Sequence, residues 1–401
     1  MDRTHLANAL LTHPVLARLR PFLSGEVSVV GGVVRDALLG RVHIHDVDLV
    51  VEGDAIAVAE AVAHRVGAPV AAHPRFGTAV LELPHGEGHV DFISARREWY
   101  PSPGALPVVE PGTLRDDLAR RDFTVNAMAV RITGAQAGAL VDPHDGVRDV
   151  EAGVIRALRA DAFIEDPSRI VRAARYAGRL GFAIEPATRA AAAGAVPSLT
   201  WASARVADEL RRVLAEATPG PALSVLFGLG APGIAPDGPA LIAGLDAARA
   251  EFAEWDPHAA IPPAWALRAG VALDPPARDA VALPGWARGV AAEVADGPRL
   301  GHALERVERP SQIDRLLGQA PLATLVAARA VGAPHILEWW TSWRGVQVGV
   351  RGADLIAAGI APGPAIGRAL TALRAALLDG AVSDVAAQRD FAIAAARREQ
   401  A

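Results

Sequence analysis

Cysteine is absent from the 401 residues, which removes disulfides, thiolate zinc sites and cysteine nucleophiles together. A reducing compartment fits that composition. Lysine is absent as well, so all 40 basic residues are arginine; the heavy use of Ala, Gly, Pro and Arg is what a biased genome produces, and the missing lysine carries little functional weight. No stretch of 18 apolar residues runs free of charges and turn residues, which excludes a membrane-spanning helix. The opening MDRTHLANALLTHPVLARL lacks the basic head, continuous apolar run and small-residue cleavage site of a signal peptide and reads as a short surface helix. The expectation is a cytoplasmic protein with no membrane partner and no obligate protein partner. Heptads, fixed-period repeats and charged tails are also missing.

What is present is length enough for two to four domains and an uneven charge distribution. The net charge of -5 and pI of 6.2 argue, as averages, against nucleic acid. The average hides two arginine clusters: Arg115, Arg120 and Arg121, then Arg169, Arg172, Arg175 and Arg179. A phosphate ligand meets the local potential, so such rows can bind it inside an acidic protein.

Mixed strand and helix patterns occupy roughly residues 1–150. EVSVVGGVV (26–34) reads as a buried strand entering a Gly-Gly turn, VRDALLG as a helix that Gly40 ends, and HDVDLVV (45–51) as a second strand. A helix is expected over 55–67 and further strands over 78–83 and 89–94. Pro101, Pro103, Pro107 and Pro111, with Gly104 and Gly112, make a turn-rich excursion that is not one regular element. Beyond about 155 the periodicity becomes helical, at 169–182, 202–217 and 365–378, with Pro/Gly-rich breaks at 218–238 and 257–263. The fold class is therefore α+β, a mixed-sheet head followed by an all-helical remainder.

The sharpest local pattern is GGVVRDALLGRVHIHDVDLVV, residues 31–51. Asp46 and Asp48 are two apart on a strand, so both carboxylates leave one face while Val47 and Leu49 point into the sheet. Paired carboxylates on one face can hold a pair of divalent ions, one acidifying an attacking hydroxyl and the other steadying phosphates. Asp91, in HVDFIS on a later strand, is the candidate third carboxylate. Gly31 and Gly32 allow close backbone approach, with N–H groups at a helix start to cradle phosphate. A solvated strand face would also account for an isolated Asp-x-Asp; the strand, Gly-Gly turn, helix and acidic strand together are more specific.

The order of these elements resembles the head of the DNA polymerase beta nucleotidyltransferase superfamily, and GGVVRDALLG with DVD is similar to the first motif of class II tRNA nucleotidyltransferases and poly(A) polymerases. RRDFTVNAMAV (120–130), DPHDGVRDVEAGVIR (142–156), EDPSRIVRAARYAGRLGF (165–182) and RVADELRRVL (205–214) resemble four further motifs of that family in its order, and DLIAAGIAPGPAIGRAL (354–370) a segment near its C-terminus.

The resemblance implies a catalytic head at 1–150, a helical neck with base selection at 151–220, and a helical body and tail for tRNA at 221–401. It implies Mg²⁺, two ions, held by Asp46, Asp48 and Asp91, and a nucleotide site of Gly31, Gly32, Arg35, Arg121, Asp122 and Asn126, with Asn126 favouring ribose. It further implies that Asp166 and Arg169 select the base by pairing with its edge, that Glu165 holds Arg169, and that Arg172 and Arg175 reach triphosphate or the tRNA end. Spacing three and four apart puts Glu165, Asp166 and Arg169 on one helix. Arg205 and Glu209 are expected to brace the pocket.

The implied reaction is addition of CCA to the tRNA 3′ end from CTP and ATP, with the acceptor and T-stem side of tRNA as partner. CC-only addition, A-only addition, poly(A) addition and a catalytically silent tRNA-binding protein remain open; the Pro-rich segment 97–123, with its GALP, lies where loop differences in the family it resembles bear on the switch from C to A. The absence of G-x-G-x-x-G spacing excludes a dinucleotide oxidoreductase. Trp339, Trp340 and Trp343 could stack on an exposed base or pack in a core.

Overall fold

In the computed structural model, which describes residues 3–41, 46–84, 88–99 and 108–400, the chain forms two compact units, Met1–Pro232 and Gly233–Ala401. The first is built on a seven-stranded mixed sheet of β1 (Glu26–Val30), β2 (Asp46–Glu52), β3 (Val70–His73), β4 (Thr78–Glu82), β5 (His89–Ser94), β8 (Ala129–Arg131) and β9 (Leu140–Val141). Their spatial order is β3-β4-β5-β2-β1-β8-β9. A separate ribbon pairs β6 (Arg96–Trp99) with β7 (Val108–Pro111).

The central strands form because their residues suit burial. Val27, Val29, Val30, Leu49 and Phe92 expose none of their surface, and full burial of such side chains stabilises by roughly 1.5–3 kcal/mol each. In β2 the alternation is clean at its start, with Asp46 exposed, Val47 buried and Asp48 half-buried. The helix Ala55–Val66 covers β4 and β5. Asp54 caps it by accepting from the N–H groups of Ile56 and Ala57, and Gly67 ends it in the left-handed region at φ 67°.

Beyond the sheet the first unit is helical except for a short parallel pairing of Val154–Ile155 with Ala183–Ile184, so the expected all-helical neck carries one two-residue exception. The helix Ser168–Leu180 packs on Ala204–Ala215 and Gly220–Gly228. Gly178 permits that approach, since a Cβ there would lie 2.6 Å from the Ala222 nitrogen. Phe123, ahead of β8, meets Tyr176 of this helix edge-on, with centroids 6.0 Å apart.

The expected single helix carrying Glu165, Asp166 and Arg169 is broken. One helix ends at Glu165, the next starts at Ser168, and Asp166 between them is extended at φ -140°, ψ 95°. Pro167 is the reason, because a residue before proline is driven out of the helical region. The expected excursion around 101–112 yields β7 at its end, and residues 100–107, including the GALP segment, lie outside the described residues.

Among the described residues the regular elements of the second unit are helices, packed around apolar clusters. One gathers Phe252, Leu267, Val294, Ile313, Val326, Trp339 and Trp340, and another Leu355, Leu373, Ala392 and Ala396. Trp340 meets Phe252 edge-on at 4.7 Å, so the tryptophan cluster is core packing at Trp339 and Trp340, with Trp343 partly buried against it. Among the described residues, no helix is long and apolar enough to cross a membrane.

Candidate nucleotide cleft

Parallel pairing of β2 with β5 puts Asp46 beside His89 and Asp48 beside Asp91. Three carboxylates on two adjoining strands thus gather at one edge. Burial raises the pKa of Asp48, with Asp117 and Asp46 adding to the rise and Arg121 and Arg172 opposing it. Burial also raises Asp91, and the Asp48 charge adds to it. Like charges held together out of water are what a bound cation relieves, so the donor chemistry fits a hard divalent ion. His89 stands between the outer acids, its Nδ1 3.1 Å from Asp46 and its Nε2 3.7 Å from Asp91. Among the described residues, no three His, Asp or Glu side chains form a ready-made metal shell.

Facing this edge is a cleft of about 400 Å³ whose walls include Gly32, Asp48, Arg121, Asp122, Asn126, Asp166, Arg169 and Arg172. Residues as distant in sequence as Gly32 and Arg172 therefore meet. Gly31 adjoins the cleft with φ 75°, and a Cβ there would stand 2.7 Å from Arg121 Nη1 and 3.6 Å from Asp48 Oδ2. Its own N–H donates to the Met128 carbonyl at 3.0 Å, so that amide is committed to the sheet.

Asn126 is buried and fixed from both sides: Arg35 Nη1 donates to its Oδ1 at 2.6 Å, and its Nδ2 donates to Asp122 Oδ1 at 3.1 Å. One amide hydrogen and one lone pair remain available. Burial alone would raise the Asp122 pKa, but Arg172, Asn126 and Arg169 outweigh it and hold the carboxyl below its ordinary value. Arg172 lies 2.5 Å from Asp122 and 3.2 Å from Glu209; the Asp122 charge, more than any other group, strengthens its hold on its proton.

Beyond the break at Pro167, Asp166 is held by Ser168, whose Oγ donates at 2.6 Å, and by Arg205 Nη1 at 3.0 Å. Arg169 is anchored through its Nη1 to the Ala162 carbonyl at 3.3 Å and its Nη2 to the Arg120 carbonyl at 3.4 Å, with Glu165 3.7 Å away. Glu165 is paired more closely with Arg159. Arg205 and Glu209 act as braces, the latter gripping Arg172 and Arg175.

Two expected nucleotide residues sit behind the cleft wall. Arg35 exposes 1% of its surface and bonds Asn126 and Asp36. Arg175 is buried against Glu209 at 3.1 Å and Glu216 at 3.5 Å. Both lie over the ring of Tyr176, at 5.2 and 4.8 Å from its centroid, with Arg172 at 5.7 Å and Arg179 at 5.8 Å. Four guanidiniums thus lie within cation–π range of one aromatic ring.

Arg120, from the first of the sequence's arginine clusters, lines the cleft, and sequence reasoning passed over Arg96, Glu98 and Tyr176, which line it too, and Asp117, which holds two of its arginines. The alternation in RREW on β6, with Arg96 and Glu98 turned inward, was the available signal for two of them.

Residues 27–156 match the Poly A polymerase head domain. The chain is 36% identical to a CC-adding tRNA nucleotidyltransferase of Deinococcus radiodurans over 364 residues, covering 91% of this chain and 88% of that one. It is 52% identical to an A-adding tRNA nucleotidyltransferase of Aquifex aeolicus over 160 residues, which is 40% of this chain and only 19% of the Aquifex protein. Among solved structures, a Thermotoga maritima CCA-adding enzyme complexed with tRNA superposes with a TM-score of 0.74 at 26% identity, covering 98% of each chain.

Proposed function

Because the chain belongs to the family of tRNA nucleotidyltransferases, we propose that it adds CCA to the 3′ end of tRNA from CTP and ATP, releasing pyrophosphate, and that residues 1–232 hold the reaction. The observation that carries this reading is the opposition, across one cleft, of half-buried Asp48, with Asp91 beside it on the next strand, and an arginine rim. That polarity suits a triphosphate bridged by cations.

Asp48 and Asp91, with Asp46 at the exposed end, would hold Mg²⁺, two ions; when bound, the metal lowers the pKa of the attacking hydroxyl and offsets phosphate charge. Arg121 and Arg172 orient the triphosphate so that the tRNA 3′-hydroxyl meets the α-phosphorus in line with the departing pyrophosphate. Asn126 and Asp122 offer the ribose one donor and two acceptors. Asp166 and Arg169, held by Ser168, Arg205 and the Arg120 carbonyl, present a carboxylate and a guanidinium to the base edge. Arg35 and Arg175 support Asn126 and Arg172 from behind. The division proposed is a head to 150, a neck to 220, and a body and tail that receive the acceptor and T-stem side of tRNA by shape and backbone contact.

CC-only addition is the second reading, favoured by the Deinococcus relative's activity over nearly the whole chain. Three tRNA primers ending before CCA, after C and after CC, each given Mg²⁺ with CTP, ATP or both and resolved at single nucleotides, separate the two. Extension of all three to CCA is expected. A stop after CC would establish the second reading, and no incorporation on any primer would overturn both.

A further inference from the structure

One carboxylate outside the cleft lining is committed to two of its arginines. Asp117 lies on the helix Leu114–Ala119 and exposes none of its surface. Its oxygens are divided between consecutive residues. Oδ1 accepts from Arg120 Nε at 3.0 Å and Nη2 at 2.5 Å, and Oδ2 accepts from Arg121 Nε at 3.3 Å and Nη2 at 3.1 Å. Spacings of three and four residues bring both guanidiniums back over the same helical turn.

Such an arrangement has a geometric consequence. A carboxylate that takes Nε and one terminal nitrogen fixes the plane of a guanidinium and leaves the other terminal nitrogen directed away from it. For Arg121 the remaining nitrogen, Nη1, points to the turn at Gly31 and lies 3.4 Å from the Asn126 carbonyl, on the side where Asp48 stands. For Arg120 it points to Glu98 at 2.8 Å, and the Arg120 carbonyl in turn accepts from Arg169. An ionised group removed from water is retained only where its partners are well placed, and four nitrogen contacts from two residues are more than one structural pair requires.

We propose that Asp117 is a positioning residue for nucleotide binding: through Arg121 it aims a cation at the triphosphate, and through Arg120 it steadies the backbone that supports Arg169. Asp117 touches no substrate itself. This rests on the nucleotidyl-transfer reading above, and the test keeps the two apart.

Equilibrium binding of CTP and of CMP to the full chain in Mg²⁺, with steady-state incorporation alongside, is measured for wild type, Asp117→Asn, Arg121→Gln and the double variant. Asp117→Asn is expected to weaken CTP binding and raise its KM about tenfold or more, as expected when a charge-assisted contact is lost, while CMP binding and the KM for tRNA stay within about twofold. In the Arg121→Gln background the same substitution is expected to change CTP affinity by less than about twofold, because the two residues act as one unit. If Asp117→Asn alone does not fold, Arg120→Met is compared with Arg120→Met/Asp117→Asn, where the charge balance is restored, and the CTP-specific loss is expected there. Unchanged CTP affinity in an active protein, equal losses for CTP and CMP, or multiplicative effects of Asp117 and Arg121 would overturn the proposal. A wild-type protein that incorporates nothing would instead overturn the reading on which it rests.

Discussion

The two compact units spend buried polarity differently. Among the described residues, twelve of the fifteen buried polar or charged side chains belong to residues 1–232, and eight of these, Arg35, Asp117, Asp122, Asn126, Ser168, Arg169, Arg175 and Glu209, line or brace the cleft. Of the described residues the second unit buries Arg268, Thr324 and Gln388, bonded to Asp246 at 2.8 Å, the Glu293 carbonyl at 2.8 Å and the Gly349 N–H at 2.8 Å respectively. A buried polar group costs free energy unless satisfied, so a dense connected set marks where structure has been committed to chemistry. In the helical unit, apolar packing accounts for the fold without it.

That contrast can be broken at its strongest point first. Asp48→Asn is expected to lower nucleotide incorporation about 10³-fold, on the order of 4 kcal/mol in the barrier, and yet to raise the thermal midpoint in Mg²⁺-free buffer at pH 7. The sign follows from the raised pKa values of Asp48 and Asp91: a raised folded-state pKa means stability present at low pH and lost as pH rises through it. The gain from the neutral variant should therefore vanish near pH 3 and grow toward neutrality. A midpoint that falls with the activity would show Asp48 to be a structural residue.

Arg169→Ala is expected to reduce discrimination of CTP and ATP against UTP and GTP by about tenfold or more, since an unmatched polar edge is what rejects a wrong base. Misincorporation on a CC-ended tRNA measures it, and unaltered fidelity would remove Arg169 from base selection. In the other unit, Phe252→Ala should cost about 3–5 kcal/mol of stability, because the ring is fully buried between Trp255 and Trp340. Denaturant unfolding reads the loss, and the KM for CTP is expected to stay unchanged at low temperature. The smallest effect is at Asp116, whose carboxyl is held at about 2 by backbone and side-chain hydrogen bonds from Thr113. Its support of the helix is present above the ordinary carboxylate pKa and lost as pH falls toward 2, so Asp116→Asn should differ from wild type at pH 6 and converge with it near pH 2.

Much of the head was legible because its signals are local. Alternation placed Asp46 and Asp48 on one strand, and the stretch 89–94 forms β5 as read. Strand pairing then did what sequence does not state, setting Asp48 beside Asp91 in register. The unbroken helix through Asp166 was an avoidable misreading, since Pro167 stands next to it. Arg35 and Arg175 look in sequence like the cleft arginines, yet Asn126 and Glu209 hold them behind the wall. No local pattern distinguishes them from Arg121 or Arg172. Glu98 and Asp117 escaped notice although local signals existed, since Arg96 and Glu98 alternate along β6 and Asp117 stands three and four residues before Arg120 and Arg121.

The central claim is nucleotidyl transfer from the triphosphate to the tRNA end, and label tracing tests it most directly. Wild-type protein is given Mg²⁺, a tRNA lacking CCA, and CTP labelled at either the α- or the γ-phosphate. The account predicts α-label covalently on the tRNA and γ-label in pyrophosphate, in equal amounts. Label that remains in CTP, or that appears as orthophosphate with none on the tRNA, would contradict it.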